Sequence, residues 1–377
     1  MSSFNSTHSY LKKRGILGPW KIKPLINRTF NQAIVIPAYS EFKFLPLTLE
    51  SINKNKPELL NQTLVVVVVN NANNPPKSIK ENNQLTLQKL NANNYQFTLA
   101  VVDAASSGLE MPLKHAGVGL ARKIGMDLAL PHLTSPQSII FCTDADTQVS
   151  PDYLSKVKQI FKSQNTSAAV IGFSHLKSQD SAINDAIGQY EIFLKTTAEK
   201  MKRAGSPYGY VSMGSTIVCT AKAYCAVGGM PRKKATEDFY FLQELTKYCG
   251  VHNISETLVF PSPRPISRVY LGTGFRMEQM QNGFDIAKLF YSEGAFWYLS
   301  QWLQLGSHAW EVNLKDLFKN TNTIHPNLVE FLKLESIEDI WSKIQKNAPS
   351  KSHFAGQFHR WFDGLKTIRF LKRFTQS

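Results

Sequence analysis

The chain has 377 residues, of which 43% are hydrophobic and 19% are charged. These proportions are typical of a folded globular protein and exclude a disordered chain, a collagen-like repeat and a coiled coil. The formal net charge is +15, and residues 1–30 carry six basic residues without an acid, while residues 343–377 carry eight basic residues and one acid. Basic ends favour a polyanionic partner, either nucleic acid or anionic lipid, although two solvated tails would give the same pattern.

Short apolar strands alternate with amphipathic helices in the first half of the chain. The pattern predicts strands at residues 33–37, 64–69, 97–102, 138–142 and 168–173. It predicts helices at residues 45–52, 79–90, 118–130, 151–161 and 183–204. This alternation predicts a doubly wound α/β fold, with a mostly parallel sheet flanked by helices. Because such sheets bind ligands at the carboxyl ends of their strands, the polar residues there are the first candidates for chemistry.

The remaining sequence has a different character. Residues 255–276 are rich in Pro and Gly, which predicts a loop region, and residues from 283 onward show a helical, aromatic-rich pattern. We therefore expect a basic N-terminal segment at 1–30, an α/β domain at 31–280 and a helical C-terminal region at 281–377.

The end of the helical region combines an apolar stripe with basic side chains. Apolar residues recur there at three- and four-residue steps: Phe354, Phe358, Trp361, Phe362, Leu365, Ile368, Leu371 and Phe374. A basic amphipathic helix of this kind could lie in the headgroup region of an anionic membrane. Its apolar stripe could equally pack on the body of the protein, and both interpretations are open at this stage.

The cysteine spacing and the hydropathy of the chain predict a cytoplasmic location. The four cysteines form no CxxC pair and lack zinc-ligand spacing, which favours buried, reduced thiols: Cys142, Cys219, Cys225 and Cys249. The N-terminus lacks the apolar core of a signal peptide, and no apolar run has the length of a transmembrane helix. We expect a cytoplasmic protein that, if it meets a membrane, lies on the inner face.

Two carboxylates follow the predicted strand at residues 138–142. Asp144 and Asp146 are one residue apart at a strand end, where both could converge on one hard cation together with phosphate oxygens and water. Two acids in a capped turn would give the same spacing. Phosphatases of the haloacid dehalogenase class also use a strand followed by D-x-D, but they place a hydroxyl residue where this chain has Gln148.

A second acidic pair precedes a predicted helix. Glu237 and Asp238 follow a Gly- and Pro-containing turn, and a carboxylate in such a position could act as a general base. Compensation of the helix dipole by two acids in the first turn is the alternative explanation.

Four segments together resemble a family 2 glycosyltransferase of the GT-A fold. Residues 34–41 (IVIPAYSE) are similar to the family's opening V-I-P-x-Y-N-E strand, and residues 119–125 (GLARKIG) to its A-R-N-x-G segment. Residues 144–146 (DAD) and 236–238 (TED) match its D-x-D and T-E-D motifs in the same order. The resemblance covers about residues 31–245, and the chain beyond residue 283 falls outside it.

The resemblance implies an inverting enzyme that moves a sugar from a UDP-, GDP- or dTDP-sugar to a hydroxyl acceptor, as in cell-envelope glycan or glycolipid synthesis. It implies Mn²⁺ or Mg²⁺ held on the donor diphosphate by Asp146, with Asp144 near the metal or the ribose. It also implies that Asp238 removes the acceptor proton and that Glu237 supports the site. Four further residues would border the donor: Pro37, Tyr39, Glu41 and Arg122.

The chain departs from the family pattern at three places, the smallest of which is Ser40 in place of the usual Asn. The family's second strand usually ends in Asp, which can accept a hydrogen bond from a uracil N–H, and this chain has Asn70 and Asn71. An amide can still contact a base, and Asp103 is a second candidate, so the base specificity stays open. The Q-x-x-R-W motif of processive synthases is absent, which favours transfer of a single sugar, as in non-processive hexosyltransferases.

Residues 261–274, a segment rich in Pro and Gly, follow a predicted strand. Arg264, Arg268 and the Gly272-Thr273-Gly274 turn could close over phosphates, because guanidinium and backbone N–H groups both bind anions. An ordered loop whose arginines pair with carboxylates of the body is the alternative.

Two other functions are alternatives to the transferase. A sugar-phosphate nucleotidyltransferase usually has a Gly-rich basic loop after its first strand, where this chain has residues 37–41 (PAYSE). A non-catalytic binder of nucleotides or nucleic acid would use the basic ends, but no known nucleic-acid module is present, so nucleic acid is not the expected partner.

Overall fold

The computed structural model describes residues 4–16, 18–90, 95–265 and 272–376. The chain divides into two compact units. The first comprises Met1–Gly188 and Ser212–Phe284, and the second comprises Gln189–Val211 and Asp285–Ser377. The first unit thus includes the N-terminal segment, and the second takes residues 189–211 from the region assigned to the α/β domain.

One mixed sheet forms the centre of the first unit. Its nine strands, within the described ranges, are β1 (Ile22–Lys23), β2 (Gln32–Ala38), β3 (Thr63–Asn70), β4 (Thr98–Ala104), β5 (Ile139–Cys142), β6 (Thr147–Val149), β7 (Ala168–Phe173), β8 (Ile217–Thr220) and β9 (His252–Pro261). The strand order is β1-β4-β3-β2-β5-β8-β7-β9-β6. Helices surround the sheet, so the predicted α/β fold is confirmed.

The first unit has these α-helices in the part of the chain that the structure describes: α1 (Phe4–Arg14), α2 (Leu45–Asn53), α3 (Pro57–Leu60), α4 (Lys77–Leu90), α5 (Val118–Ala129), α6 (Tyr153–Ser163), α8 (Ala221–Ala226), α9 (Glu237–Cys249) and α10 (Thr273–Gln281). Helix α7 (Ser181–Arg203) begins in the first unit and continues in the second. The second unit adds α11 (Glu293–His308), α12 (Leu314–Ile324), α13 (Leu328–Leu334), α14 (Ile337–Lys346), α15 (Lys351–Trp361) and α16 (Gly364–Thr375).

Four parallel strands, in the order β4-β3-β2-β5, form the part of the sheet that positions the site. Strands β2 and β3 are buried along their whole length, as expected for strands covered by helices on both faces. The connection from β2 leads to β3 on one side, whereas β5 pairs with β2 on the other. The carboxyl ends of β2 and β5 therefore meet at the topological switch point, where open α/β sheets form a crevice.

Pro37 contributes to the opening of that crevice. Strand β2 pairs with β5 from Gln32 to Val35, whereas its pairing with β3 continues to Ala38. Proline lacks the N–H that a ladder between two neighbours would need, and Pro37 lies where β2 keeps one paired neighbour. The backbone after Val35 is thus free to separate from the chain leaving β5.

Helix α5 packs directly on the parallel strands because Gly125 has no side chain. A Cβ atom at this position would lie 2.5 Å from Cγ1 of Val35 and 2.9 Å from Cγ2 of Val68. The close approach places the first turns of α5 beside the crevice.

The N-terminal segment is partly folded into the first unit. Tyr10 in α1 is buried, and its hydroxyl donates to Asp127 Oδ1 at 2.8 Å while accepting from Lys123 Nζ at 2.6 Å. Tyr224 donates to the same Asp127 oxygen at 2.7 Å. Helix α1 is therefore not a solvated tail, although its basic residues Lys12, Lys13 and Arg14 are exposed.

The predicted loop at residues 255–276 is wrong at both ends. Strand β9 continues to Pro261, because Val259 is buried between pairings with β7 and β6, and helix α10 begins at Thr273. The expectation of buried cysteines is correct for Cys142 and Cys219, but Cys225 is half-buried and Cys249 is exposed at the end of α9.

The second unit has an aromatic core of its own. Its largest fully buried side chains are Trp302, Trp341, Phe354, Phe358, Phe362, Phe370 and Phe374. Helices α15 and α16 contribute most of these rings, so most of the C-terminal apolar stripe faces the core, with Trp361, Leu365 and Ile368 only half-buried. None of the described helices combines the length and apolarity needed to cross a bilayer.

Candidate active site

The two acidic motifs lie close together at the crevice. Asp144 and Asp146 follow β5, and Glu237 is the first residue of α9. At least ninety residues separate Glu237 from the two aspartates along the chain. Arg122 in α5 joins them, because its Nη2 atom donates to Asp144 Oδ1 and its Nη1 atom donates to Glu237 Oε1. The D-x-D, A-R-x-x-G and T-E-D segments thus form one ion-paired cluster.

Arg122 is held in a tightly packed position. Its side chain is 3% exposed, and its Nε atom is buried without a hydrogen-bond partner among the described residues. A Cβ atom at Gly214 would lie 2.1 Å from Nη2 of Arg122, so a glycine at this position makes room for the guanidinium.

Glycines also allow α9 to approach α5. A Cβ atom at Gly117 would lie 2.5 Å from Cα of Lys234, and one at Gly119 would lie 2.5 Å from the carbonyl of Lys233 and 2.9 Å from Cβ of Glu237. Thr236 adopts a left-handed conformation with φ of 64° directly before Glu237. Non-glycine residues adopt this conformation rarely, and such residues cluster at functional sites.

Burial and neighbouring charge change the acidity of the second motif. The pKa of Glu237 is raised to about 7, because burial and the neighbouring Asp238 raise it by more than Arg122 lowers it. Burial also raises the pKa of Asp238, against the lowering effects of Arg122 and of the Phe239 N–H, which donates to Asp238 Oδ1 at 2.7 Å. A carboxylate with a raised pKa is a stronger base, so the environment suits Asp238 to accept a proton.

A second arginine contacts the other acids of the crevice. Arg264 Nη2 donates to Glu41 Oε1 at 2.9 Å and to Asp146 Oδ2, and Arg264 Nε lies 3.2 Å from Asp146 Oδ2. The guanidinium carbon lies 3.9 Å from the centre of the Phe44 ring. The loop interpretation, in which an arginine pairs with carboxylates of the body, therefore describes Arg264 in this structure. Arg268 lies outside the described residues.

An open cleft borders this arginine. It has a volume of about 400 Å³ and is lined by Thr48, Asp146, Gln148, Lys177 and Arg264, together with apolar side chains of the first unit. Both acidic and basic groups therefore face the same space.

The residues predicted to border the nucleoside lie at the ends of β2 and β3. Pro37 is buried and Tyr39 is half-buried, while Asn70 is buried with its Oδ1 atom unpaired among the residues that the structure describes. Ser40 adopts a left-handed conformation with φ of 57°, a conformation in which Asn, the residue of the similar motif, is enriched.

Asn83 is a structural residue of this edge that the sequence analysis missed. Its Nδ2 atom donates to the Asn70 carbonyl at 3.1 Å and to Asn71 Oδ1 at 2.8 Å, and its Oδ1 atom accepts from the Ser40 N–H at 2.9 Å. The sequence signal that could have identified it is an asparagine on the core-facing side of α4. Asp103 Oδ1 accepts from the N–H groups of the next loop, so this oxygen stabilises a turn.

The carboxylates that could bind a divalent ion form ion pairs with two different arginines. Asp144 faces Arg122, whereas Asp146 and Glu41 share Arg264. No group of three or more His, Cys, Asp or Glu side chains is arranged to hold a metal within the described ranges. Two carboxylates nevertheless suffice for Mg²⁺ or Mn²⁺ when phosphate and water supply the other oxygens, so Asp146 with Glu41 fits such an ion.

No protein-family model matches the chain, and no curated protein matches it. Among solved structures, residues 1–349 of TarS from S. aureus match with a TM-score of 0.43 and 11% identity, over 92% of this chain and 91% of that chain. The TarS complex with UDP-GlcNAc matches with a TM-score of 0.43 and 12% identity, over 88% and 89% of the two chains.

The mannosyltransferase PcManGT from Pyrobaculum calidifontis, in complex with GDP-Man and Mn²⁺, matches with a TM-score of 0.43 and 13% identity, over 98% of this chain and 93% of that chain. Similarities at this level carry no argument about what the present chain does.

Proposed function

We propose that this protein is an inverting, metal-dependent glycosyltransferase that moves one sugar from a nucleotide-sugar donor to an acceptor hydroxyl. The observation that carries the proposal is the cluster in which Arg122 joins Asp144 to Glu237, beside Asp238, at the switch point of the sheet. The cluster brings a strand-end carboxylate and a candidate base to the place where α/β sheets bind ligands.

In this proposal Asp238 accepts the proton of the acceptor hydroxyl. The acceptor oxygen then forms a bond to the anomeric carbon of the sugar, while the bond from that carbon to the donor diphosphate breaks on the opposite face. Arg122 holds Glu237 and Asp144 in position during the step. A divalent ion held by Asp146 would neutralise the negative charge of the leaving diphosphate.

The donor nucleoside is proposed to lie at the ends of β2, β3 and β4, bordered by Pro37, Tyr39, Asn70 and Asp103. The unpaired, buried Asn70 Oδ1 atom supports this placement, because it can accept a hydrogen bond from a base N–H. UDP-, GDP- and dTDP-sugars all remain candidates, since an amide can both donate and accept.

We further propose that the acceptor belongs to cell-envelope glycan or glycolipid synthesis and that the enzyme works in the cytoplasm at an anionic membrane surface. Exposed basic residues at both ends, including Lys12, Lys13 and Lys372, support electrostatic attraction to such a surface.

A thermal-shift panel tests the proposed function. The chain is melted with UDP-, GDP- and dTDP-sugars, each with and without Mn²⁺, because a ligand that binds only the folded state raises the melting temperature. We expect one nucleotide class to raise the melting temperature in the presence of Mn²⁺. When a cell extract that contains acceptors is then added, we expect the corresponding nucleoside diphosphate to be released.

Adding a nucleoside triphosphate and a polynucleotide to the panel separates the alternatives. A sugar-phosphate nucleotidyltransferase would bind a nucleoside triphosphate in preference to every nucleotide sugar. A nucleic-acid binder would bind no nucleotide sugar and would bind polynucleotides with a steep salt dependence.

A further inference from the structure

Glu41 and Asp146 come from different elements but contact the same guanidinium nitrogen. Glu41 lies between β2 and α2, and Asp146 lies between β5 and β6. Arg264 Nη2 is 2.9 Å and 3.1 Å from the two oxygens of Glu41, and it also donates to Asp146 Oδ2. The two carboxylates therefore converge on one cationic position.

Charge favours replacement of the arginine by a divalent ion. Arg264 brings one positive charge to two carboxylates, so the three side chains together carry a formal negative charge. Mn²⁺ or Mg²⁺ at the same position would neutralise both carboxylates, and both ions take carboxylate oxygen as a ligand. The surroundings also permit water to reach the position, because Asp146 is 23% exposed and Arg264 is 18% exposed.

The guanidinium has space to move while its backbone stays in place. Pro263 and Pro265 flank Arg264, and proline restricts the backbone through its fixed φ angle. The cleft of about 400 Å³ that Arg264 and Asp146 both line can receive a displaced side chain. We therefore expect the guanidinium to leave the position between the two acids by a change of side-chain rotamer into this cleft.

We infer that Glu41 is a metal-site residue alongside Asp146, and that Arg264 is the exchangeable counter-cation which a divalent ion displaces from between them. This inference rests on the proposed function, because the donor diphosphate supplies the remaining oxygens and gives the displaced guanidinium an anion to bind. Without the ion, Arg264 keeps the two carboxylates from repelling each other.

Direct Mn²⁺ binding tests the exchange without any nucleotide or acceptor. The free Mn²⁺ concentration is followed by electron paramagnetic resonance during titration of wild type, Arg264→Gln, and the double variant with Glu41→Gln. Removing a competing internal cation raises the fraction of protein that can bind, so Arg264→Gln should bind Mn²⁺ about tenfold more tightly than wild type. Adding Glu41→Gln should abolish that gain.

Melting curves provide a second measurement and a check on folding. Arg264→Gln removes the positive charge that contacts both Glu41 and Asp146, so we expect a lower melting temperature that Mn²⁺ restores. Arg264→Lys retains the charge but lacks the planar group that contacts both carboxylates, so its Mn²⁺ affinity should exceed that of wild type by less than tenfold. This variant replaces Arg264→Gln in the test if the glutamine variant does not fold. Arg232→Gln, at an exposed arginine of the same unit, should match wild type in both measurements.

Two outcomes would overturn the inference. Mn²⁺ affinity in Arg264→Gln equal to or weaker than that of wild type would show that the arginine does not compete with the ion. Equal affinity in the single and double variants would show that Glu41 is not part of the metal site. Both results are independent of sugar transfer, so a failure of the proposed function would be recognised separately, by the absence of donor binding in wild type.

Discussion

Two arginines organise the acids of the crevice, and they do so in different surroundings. Arg122 projects from a helix, is 3% exposed and lies against Gly214, where an added Cβ would collide with it. Arg264 follows a strand in a Pro-rich segment, is 18% exposed and borders an open cleft. The comparison suggests that the first arginine fixes the geometry of the acids, whereas the second can be exchanged.

Replacing each arginine should give the largest effects and should separate their roles. Arg122→Met leaves the buried Glu237 carboxylate without its cation, which should lower the free energy of unfolding by about 3–5 kcal/mol and abolish transfer. Arg264→Gln affects a partly exposed group and should cost only about 1–2 kcal/mol. Urea unfolding measures both, and equal losses would contradict the distinction between the two clusters.

Asp238→Asn should stop transfer and leave donor binding intact. Loss of a general base lowers turnover by about 10²–10⁴-fold, and an amide of the same shape preserves the local packing. Release of nucleoside diphosphate in the presence of acceptor measures the effect. Asp152→Asn, at an exposed aspartate of the same unit, is the matched control. Nearly full transfer by Asp238→Asn would remove Asp238 from the proposed mechanism.

Gly214→Ala tests the packing of Arg122 without removing a charge. The added Cβ would lie within 2.1–2.5 Å of the guanidinium atoms, so the arginine must shift and its contacts with the acids weaken. A displacement of about 1 Å can lower turnover by about 100-fold, and we expect a loss of about 10- to 100-fold. Gly188→Ala, where an added Cβ meets no atom within 4 Å, should retain wild-type activity.

The pH dependence of transfer should reflect the raised pKa of Asp238. The base must be ionised, so activity should rise with pH through a value above the ordinary aspartate pKa of about 4. Glu237→Gln removes a neighbouring negative charge and leaves Arg122 shared among fewer acids, which should move this acidic limb to lower pH by up to about one unit. A limb that stays in place, measured as kcat/KM against pH, would show that the two acids are not coupled.

The smallest effect concerns the proposed membrane surface. Helices α15 and α16 bury most of their apolar residues in the core of the second unit, so the exposed basic side chains would have to provide the attraction. Lys372→Glu should weaken binding to anionic vesicles, measured by sedimentation, by at least about fivefold, since each lysine near such a surface contributes about 1 kcal/mol. Lys158→Glu on α6 is the control, and an identical decrease in both variants would indicate a non-specific charge effect.

Much of the fold could be predicted because the strands are apolar on both faces. Strand β3 was expected at residues 64–69 and extends over Thr63–Asn70, and the alternation with helices indicated the α/β sheet. The convergence of polar residues at the switch point follows from strand order alone. Long-range packing could not be predicted, because nothing in the local pattern pairs Tyr10 with Asp127 or Asn83 with the end of β3.

The ion pairs of the site were the least predictable part. The resemblance placed Arg122 near the donor. Its contacts with Asp144 and Glu237 depend on the close approach of α5 and α9, which is possible because Gly117 and Gly119 have no side chain. The sequence left phosphates or carboxylates of the body open as partners of Arg264, and in this structure it contacts Glu41 and Asp146. Spacing along the chain identifies candidate groups, whereas their partners depend on tertiary packing.

Donor binding by wild type, Asp146→Ala and Asp238→Asn tests the central claim most directly. The nucleotide sugar that raises the melting temperature of wild type would be titrated calorimetrically into all three proteins in the presence of Mn²⁺. The account predicts strong binding by wild type and Asp238→Asn, and loss of Mn²⁺-dependent binding by Asp146→Ala. Equal binding by all three proteins would contradict the assignment of Asp146 to the metal and of the crevice to the donor.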